Sequence, residues 1–365
     1  MNPAIANRIP LVCRPKPPGI PLTERIAALT ELVTQPAGAD HHQLVARASG
    51  ILNFAALIAS DAGLLELAAD LCWRQHAIFA AATLDQDTAV MALMPLVNIA
   101  RLMIREGDGP GAYDILHRLY RAARLRSTTT IVDHHIDLAP LIRTSDDHRK
   151  ICTELWVTLL TDGARALARA GRWAEAAAAM TAHRGIGRRL LDGRQIKIMS
   201  LAEQGLTGQA IAMIDTSTLA EPWEMTVAAM LRIYCQPDTS PASQYDLDRA
   251  LRRTLDLITQ PTESATAAFQ IRVGLTALDL TITQPFAVTS ELRDAIVRAA
   301  LSDAYAARDV LAHADTRSRL SRQDERELTA VVTDAALGTG QLPPQHMHAL
   351  AATVKQGEDQ LRAML

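Results

Sequence analysis

The stretch Val132-Asp-His-His-Ile-Asp137 gathers the residue types that hold metal ions. Carboxylate and imidazole are ligands for Zn, Mn or Fe, and His148 lies nearby in sequence. Asp133, His134, His135, Asp137 and His148 are therefore the candidate metal ligands. Against this, adjacent histidines on an extended segment point to opposite faces, and neither HExxH nor His-x-Glu with a cysteine pair occurs. A polar loop with incidental histidines is the competing account. Asp40-His41-His42 repeats the triplet. Asp146-Asp147-His148-Arg149 lacks the further carboxylates at helical spacing that would hold Mg and a diphosphate, and reads as a helix start whose acidic side chains oppose the macrodipole. Cys72 and His76, four apart, could meet on one helix face as nucleophile and base, but Cys72 also suits a core position. Trp73 and Trp156 fit either a pocket wall or buried packing. No GxSxG, phosphate-binding loop or dinucleotide fingerprint is present, and Gly185-Ile-Gly187 followed by two arginines reads as a loop between helices. No cofactor is expected.

Guanidinium groups offer a second chemistry. Arg101 and Arg165 stand six residues before Gly107 and Gly171, Arg105 and Arg169 stand two before them, and Asn98 lies one turn before Arg101. Paired guanidiniums donate bidentate hydrogen bonds to carboxylates or phosphates. Asn98, Arg101, Arg105, Arg165 and Arg169 are thus the candidate anion-accepting set, although an arginine-rich chain also exposes arginines on helices with no ligand in view.

The elements that position these residues follow from composition. Hydrophobic residues make up 48% of the 365 and aromatics only 4%, so the core must be Ala, Leu, Ile, Val and Met. That mixture favours helix over sheet and predicts an all-α protein. A formal net charge of -3 gives no global basic footprint, so no direct nucleic-acid partner is expected. Lysine occurs only at Lys16, Lys150, Lys197 and Lys355, a bias that with the many arginines and alanines suits a GC-rich genome. Cys13, Cys72, Cys152 and Cys235 form no CxxC pair, which favours reduced thiols and a cytoplasmic location. No run approaches the roughly 20 unbroken apolar residues of a membrane span, and Pro10 with the prolines from Pro15 to Pro21 interrupts any signal peptide. Residues 1–20 read as a flexible Pro-rich tail.

Thr23 is a possible N-cap for a helix over 23–33. Apolar spacing then predicts helices over 41–60, 64–82, 87–106, 110–125, 148–170, 173–184, 192–204, 207–216, 221–235, 243–259, 262–282, 289–314, 321–337 and 344–363. Ser240-Pro241 reads as a helix start, Ser321-Arg-Gln-Asp324 as a variant capping box, and Pro95 as a kink. Residues 126–147 read as an insertion loop or a short irregular element.

The pattern Gly-x4-Ala recurs at Gly63/Ala68, Gly107/Ala112, Gly171/Ala176 and Gly205/Ala210. Four residues past each alanine stand Cys72, Leu116, Met180 and Ile214; seven before each glycine stand Ala56, Ala100, Ala164 and Ile198. Glycine ending one helix and a small residue opening the next make a helical hairpin corner. Gly171 and Gly205 are 34 apart, and Gly171-Arg-Trp-Ala-Glu-Ala176 places glycine, aromatic and alanine in order. Here the chain resembles the tetratricopeptide repeat, best over 157–217 and more loosely over 41–260. Spacings of 44 and 64 elsewhere, and the missing repeat-ending proline, depart from that family.

The resemblance implies a right-handed stack of antiparallel helical hairpins over 21–260, with 126–147 inserted and 261–365 as a C-terminal helical bundle, cap or degenerate repeats. It implies that Asn98, Arg101, Arg105, Arg165 and Arg169 line a concave groove, and that the protein grips a peptide, a partner protein or a small acidic ligand without chemistry of its own. No membrane partner is expected. The alternative is an enzyme or accessory protein of a specialised biosynthetic pathway, with the 126–147 insertion and its His/Asp segment closing over the groove.

Overall fold

A core of Ala, Leu, Ile, Val and Met folds as helix almost throughout: the protein is 73% helix and 3% strand. The structure, a computed structural model, describes residues 3–82, 84, 86–236, 242–260, 264–282 and 287–365. In chain order the elements are α1 (Pro3–Ala6), α2 (Leu22–Glu31), α3 (His41–Asp61), α4 (Leu65–Ala80), α5 (Gln86–Glu106), α6 (Gly109–Leu125), the strands β1 (Thr128–Ile131) and β2 (His134–Asp137), α7 (Ser145–Thr158) and α8 (Ala164–Arg169). They continue with α9 (Trp173–Ala182), α10 (Asp192–Glu203), α11 (Thr207–Asp215), α12 (Pro222–Tyr234), α13 (Gln244–Thr259), α14 (Ala267–Leu280), α15 (Ala287–Ala300), α16 (Ala304–Leu311), α17 (Ala314–Ser318), α18 (Arg322–Asp334) and α19 (Pro344–Met364). The Ser240-Pro241 start lies outside the described residues; Ser243 caps α13, accepting from the Asp246 N–H. Ser321 likewise caps α18 through the Asp324 N–H.

The four glycine corners form as the sequence predicts. Gly63, Gly107, Gly171 and Gly205 have φ of 86°, 90°, 76° and 73°. After each, the next N–H donates to the carbonyl five residues back: Leu64 to Ala59, Asp108 to Met103, Arg172 to Leu167 and Leu206 to Leu201, at 2.8 to 3.0 Å. This is the helix ending that glycine permits without a Cβ penalty. Ala68, Ala112, Ala176 and Ala210 are all 0% exposed, and Cys72, Leu116, Met180 and Ile214 are buried one turn on. Trp173 is a packing residue, fully inside.

The chain forms two compact units, Pro21–Ala166 with Ala336–Leu365, and Met1–Ile20 with Leu167–Ala335. In the 21–166 unit each helix from α3 to α7 packs on its predecessor, α3 also meets α5, and α5 meets α7. α19 closes the unit against α2, α3 and α4. Residues 261–365 are therefore not one C-terminal block. The Gly338 and Gly340 N–H groups bond the carbonyls of Asp61 and Ala62 at 2.8 and 2.7 Å, capping the end of α3 and delivering α19 to this unit. By length and composition alone, His41–Asp61 and Thr88–Glu106 could cross a membrane; each buries 56% of its most apolar window within the fold.

Residues 126–147, expected as an insertion loop or a short irregular element, hold a β-hairpin, a 3-10 turn over Ala139–Leu141 and the start of α7. Thr128 to Ile131 pair antiparallel with His134 to Asp137 around the two-residue turn Val132-Asp133. Ile131 and Ile136 are buried, and Leu138 and Ile142 follow them into the core.

In the 167–335 unit α14 is central, touching α1, α12, α13, α15 and α16, and is buried almost all round. Gly274 lets its neighbours close in: a Cβ there would stand 2.7 Å from Ile258 Cδ1 and 2.8 Å from Ile296 Cδ1. The segment expected to be a flexible tail is built into this unit. Ile5, Ile9, Leu11 and Val12 are buried. The Gln195 side chain, itself buried, imitates a neighbouring strand: it accepts from the Leu11 N–H and donates to the Leu11 carbonyl, both at 2.8 Å. Further along, the Gly19 N–H donates to Asp303 Oδ2 at 2.7 Å and the Gly19 carbonyl accepts from the Ala304 N–H at 2.9 Å. Prolines suit such a strap because they leave few N–H groups needing partners.

Candidate anion-binding site

Arg101 and Arg105, two of the expected arginines in the 21–166 unit, are paired with carboxylates. Arg101 Nε lies 2.8 Å from Asp162 Oδ2 and its Nη1 donates to Asn98 Oδ1 at 3.2 Å. Asn98 in turn donates to Asn53 Oδ1 at 3.0 Å. Asp162 belongs to a π-helical turn, Leu159–Gly163, between α7 and α8, a register no helical period predicts. Arg105 Nη1 meets Asp61 Oδ1 at 2.6 Å, and the buried Arg25 takes Asp61 Oδ2 at 2.7 Å. Arg105 is therefore a counter-charge for a buried carboxylate, and Asn98, Arg101 and Arg105 all take part in internal pairs. Arg165 is half-buried on α8 in the same unit.

The candidate metal ligands are dispersed by the hairpin. His134 shares a strand face with Ile136 and stacks on Trp73, ring centroids 3.7 Å apart. His135 takes the opposite face, as strand alternation requires, and pairs with Thr130. Asp137 Oδ1 accepts from the Ala139 N–H at 2.9 Å, and His148 Nε2 sits 3.2 Å from the Arg124 carbonyl. Asp133 occupies the turn. Among the described residues no three His, Cys, Asp or Glu side chains approach closely enough to share one ion. Asp40 is the N-cap of α3 in a capping box with Gln43, and Asp147 forms another with Thr144 at the start of α7. Burial pushes the Cys72 thiol up to about 12, so it holds no thiolate to attack with. The Gly185 to Gly187 loop is pinned by Arg194, whose Nη1 donates to the Gly187 carbonyl at 3.1 Å.

Arg169 falls in the other unit, and there it joins a pocket. Asn7, Arg8, Arg169, Arg272, Asp309 and His313 are among its lining residues, around a volume of about 410 Å³. α14 supplies Arg272, Leu275 and, behind the wall, Asp279, which at spacings of three and seven share one helix face. The N-terminal strap brings Arg8. Arg8 Nη1 meets Asp279 Oδ2 at 2.5 Å, and Arg272 Nε meets Asp309 Oδ2 at 2.7 Å. Each carboxylate fixes its guanidinium and leaves donors over, since the group carries five N–H bonds in a rigid fork. Desolvation pulls the Asp279 carboxyl upward, but the hydrogen bonds from His313 and Arg8 outweigh it and hold the group below its ordinary value.

His313 stands between Asp279 Oδ1, 3.0 Å from its Nε2, and Thr316 Oγ1, 2.7 Å from its Nδ1. The Thr316 N–H also donates to Nδ1, at 3.2 Å, which assigns the proton to Nε2. Hydroxyl, imidazole and carboxylate thus stand in the order of a nucleophilic triad. Thr316 is 0% exposed, however, so its hydroxyl reaches no substrate, and neither imidazole nitrogen has a free lone pair. The arrangement holds Asp279, and through it Arg8, in place. Sequence reading missed Arg8, discounted with the tail, and Arg272, Asp279, Asp309 and His313. The Arg272-x6-Asp279 spacing was the one local signal available.

Compared with known proteins, no family model matches the chain, nor does any curated protein or solved structure.

Proposed function

We propose that the protein is a binding protein whose pocket in the 167–335 unit takes a small acidic ligand, and that its helical hairpins follow a tetratricopeptide-like plan. The observation that carries the reading is the convergence of Arg8, Arg169 and Arg272 on one pocket, two of them held in place by Asp279 and Asp309. Donors already held in orientation by a carboxylate lose little freedom when an anion arrives. The four glycine corners, each with a buried alanine five residues on, support the repeat plan.

Thermal unfolding with inorganic phosphate, with succinate and with chloride at matched ionic strength tests this. Phosphate or succinate should raise Tm over the chloride control by linkage, and Arg169→Ala, an exposed position, should remove the rise while leaving the unliganded Tm unchanged. Equal Tm in all three salts would overturn the reading.

A further inference from the structure

We propose that a groove framed by α11, α12 and α13 docks an acidic amphipathic helix of a partner protein. The site is separate from the arginine pocket and does not depend on it. Met225, Ala228, Ala229, Arg232, Ile233 and Gln236 of α12 and the residues after it all line the groove. Their spacings of three, four, seven, eight and eleven make one continuous helical face. The opposite face of α12 is spent on the fold, with Trp223, Val227, Met230 and Leu231 buried, and Ala228 on the stripe is also largely covered. Met225 is 42% exposed, among the most exposed large apolar side chains of the protein. The half-buried Ala229 at the middle of the stripe lets a second helix approach closely.

The charge along one edge says what kind of helix. Arg249 and Arg253 of α13, one turn apart, line the groove beside Arg232. Arg232 is paired with Asp215, and on the same helix Arg252 is paired with Asp248 at 2.7 Å. Arg249 and Arg253 form no hydrogen bond or ion pair with any described residue. Asp246 also lines the groove, where its Oδ2 accepts from the Ser243 hydroxyl at 2.6 Å, so the lining carries Arg232, Arg249 and Arg253 against Asp215 and Asp246 and stays net positive. The groove therefore offers an apolar stripe flanked by two uncommitted cations. From Met225 to Gln236 the stripe runs about 17 Å at the helical rise, room for about three turns of a partner whose Leu-type residues meet α12 and whose Glu or Asp residues meet α13. The cavity of about 270 Å³ accepts anchoring side chains rather than a folded domain. A nucleic acid would want cations spaced along a backbone and aromatic faces for stacking; the floor here is aliphatic.

The test uses the full chain and fluorescence anisotropy with three probes: a labelled synthetic helix of about four turns with leucine on one face and glutamate flanking it, the same helix with lysine in place of glutamate, and a single-stranded oligonucleotide. The acidic helix alone should bind, and more weakly as salt rises. Arg249→Glu with Arg253→Glu should weaken it by at least about tenfold, as should Met225→Asp, with circular dichroism unchanged; the neutral pair Arg249→Gln with Arg253→Gln provides a milder version. Arg169→Ala should bind as the wild type does, which separates this site from the pocket. The proposal falls if the lysine helix or the oligonucleotide binds as tightly. It also falls if the charge reversals leave binding unchanged, or if Met225→Asp abolishes a self-association seen by sedimentation, which would make a second copy the occupant.

Discussion

Asp61 and Asp279 show how differently two buried carboxylates can use arginine. Asp61 and Arg25 are both inside the fold, with Arg105 reaching in from a more exposed position. Asp61→Ala should cost about 3–5 kcal/mol, because it strands the Arg25 charge. Arg105→Ala should cost about 1 kcal/mol or less, since its side chain is partly solvated. Urea midpoints of the two variants measure the contrast. Asp279 carries a pH signature instead. Its carboxyl is held below the ordinary value in the folded state, so the stability it contributes is present above the usual carboxylate range and is lost as pH falls through the folded value. Asp279→Asn should flatten the acid limb of a urea-midpoint profile; an unchanged limb would mean that the Arg8 and His313 contacts do not discriminate the charged form. At this scale the sequence was legible for packing and silent on partners. Ala176 and Trp173 could be placed from a six-residue pattern, whereas the carboxylates that claim Arg101 and Arg105 lie 61 and 44 residues away.

The hairpin of 128–137 is the element whose identity the residues concealed. Thr128 to Ile131 is a β-branched run, but four residues flanked by polar ones gave no alternation long enough to distinguish strand from loop. Its turn is also unorthodox: Val132 sits at φ 51°, where a two-residue hairpin loop ordinarily has Asn or Gly. Val132→Gly should therefore stabilise the protein by about 1 kcal/mol, measurable as a shift in urea midpoint. The hairpin rests on Trp73 through His134, with His76 beside the same indole, ring centroids 6.1 Å apart. Burial, and then the neighbouring His134, lower the His76 pKa. A histidine with a depressed folded value opposes folding once pH drops below its unfolded value near 6.5. Between neutrality and mild acid, Trp73 emission should report loosening of the hairpin, and His76→Gln should make that emission insensitive over the same range. Among the helices, α14 was recognisable from its apolar run, but not its centrality; Gly274→Val should cost about 1–3 kcal/mol by overpacking against Ile258 and Ile296.

At the scale of the molecule, local periodicity located helices and could not locate units. The reading of 1–20 as a tail and 261–365 as a cap treated the chain as linear. Each unit is in fact completed by a segment from the far end: the 167–335 unit by the strap from Ile5 to Gly19, and the 21–166 unit by α19. Pairings such as Leu11 with Gln195 carry no short-range signal, because the recognition is one glutamine amide imitating a peptide bond.

That arrangement sets an order of events during synthesis. Gly19 leaves the ribosome 284 residues before Asp303, the residue that holds its N–H, and Thr30 on α2 precedes Thr353 on α19 by 323. Domains made on the ribosome ordinarily close one after another from the N-terminus. Here the 167–335 unit waits for segments such as Asp303 to cover the strap, and the 21–166 unit waits for Ala336–Leu365, so each keeps an early-made apolar face uncovered until its late-made segment has emerged.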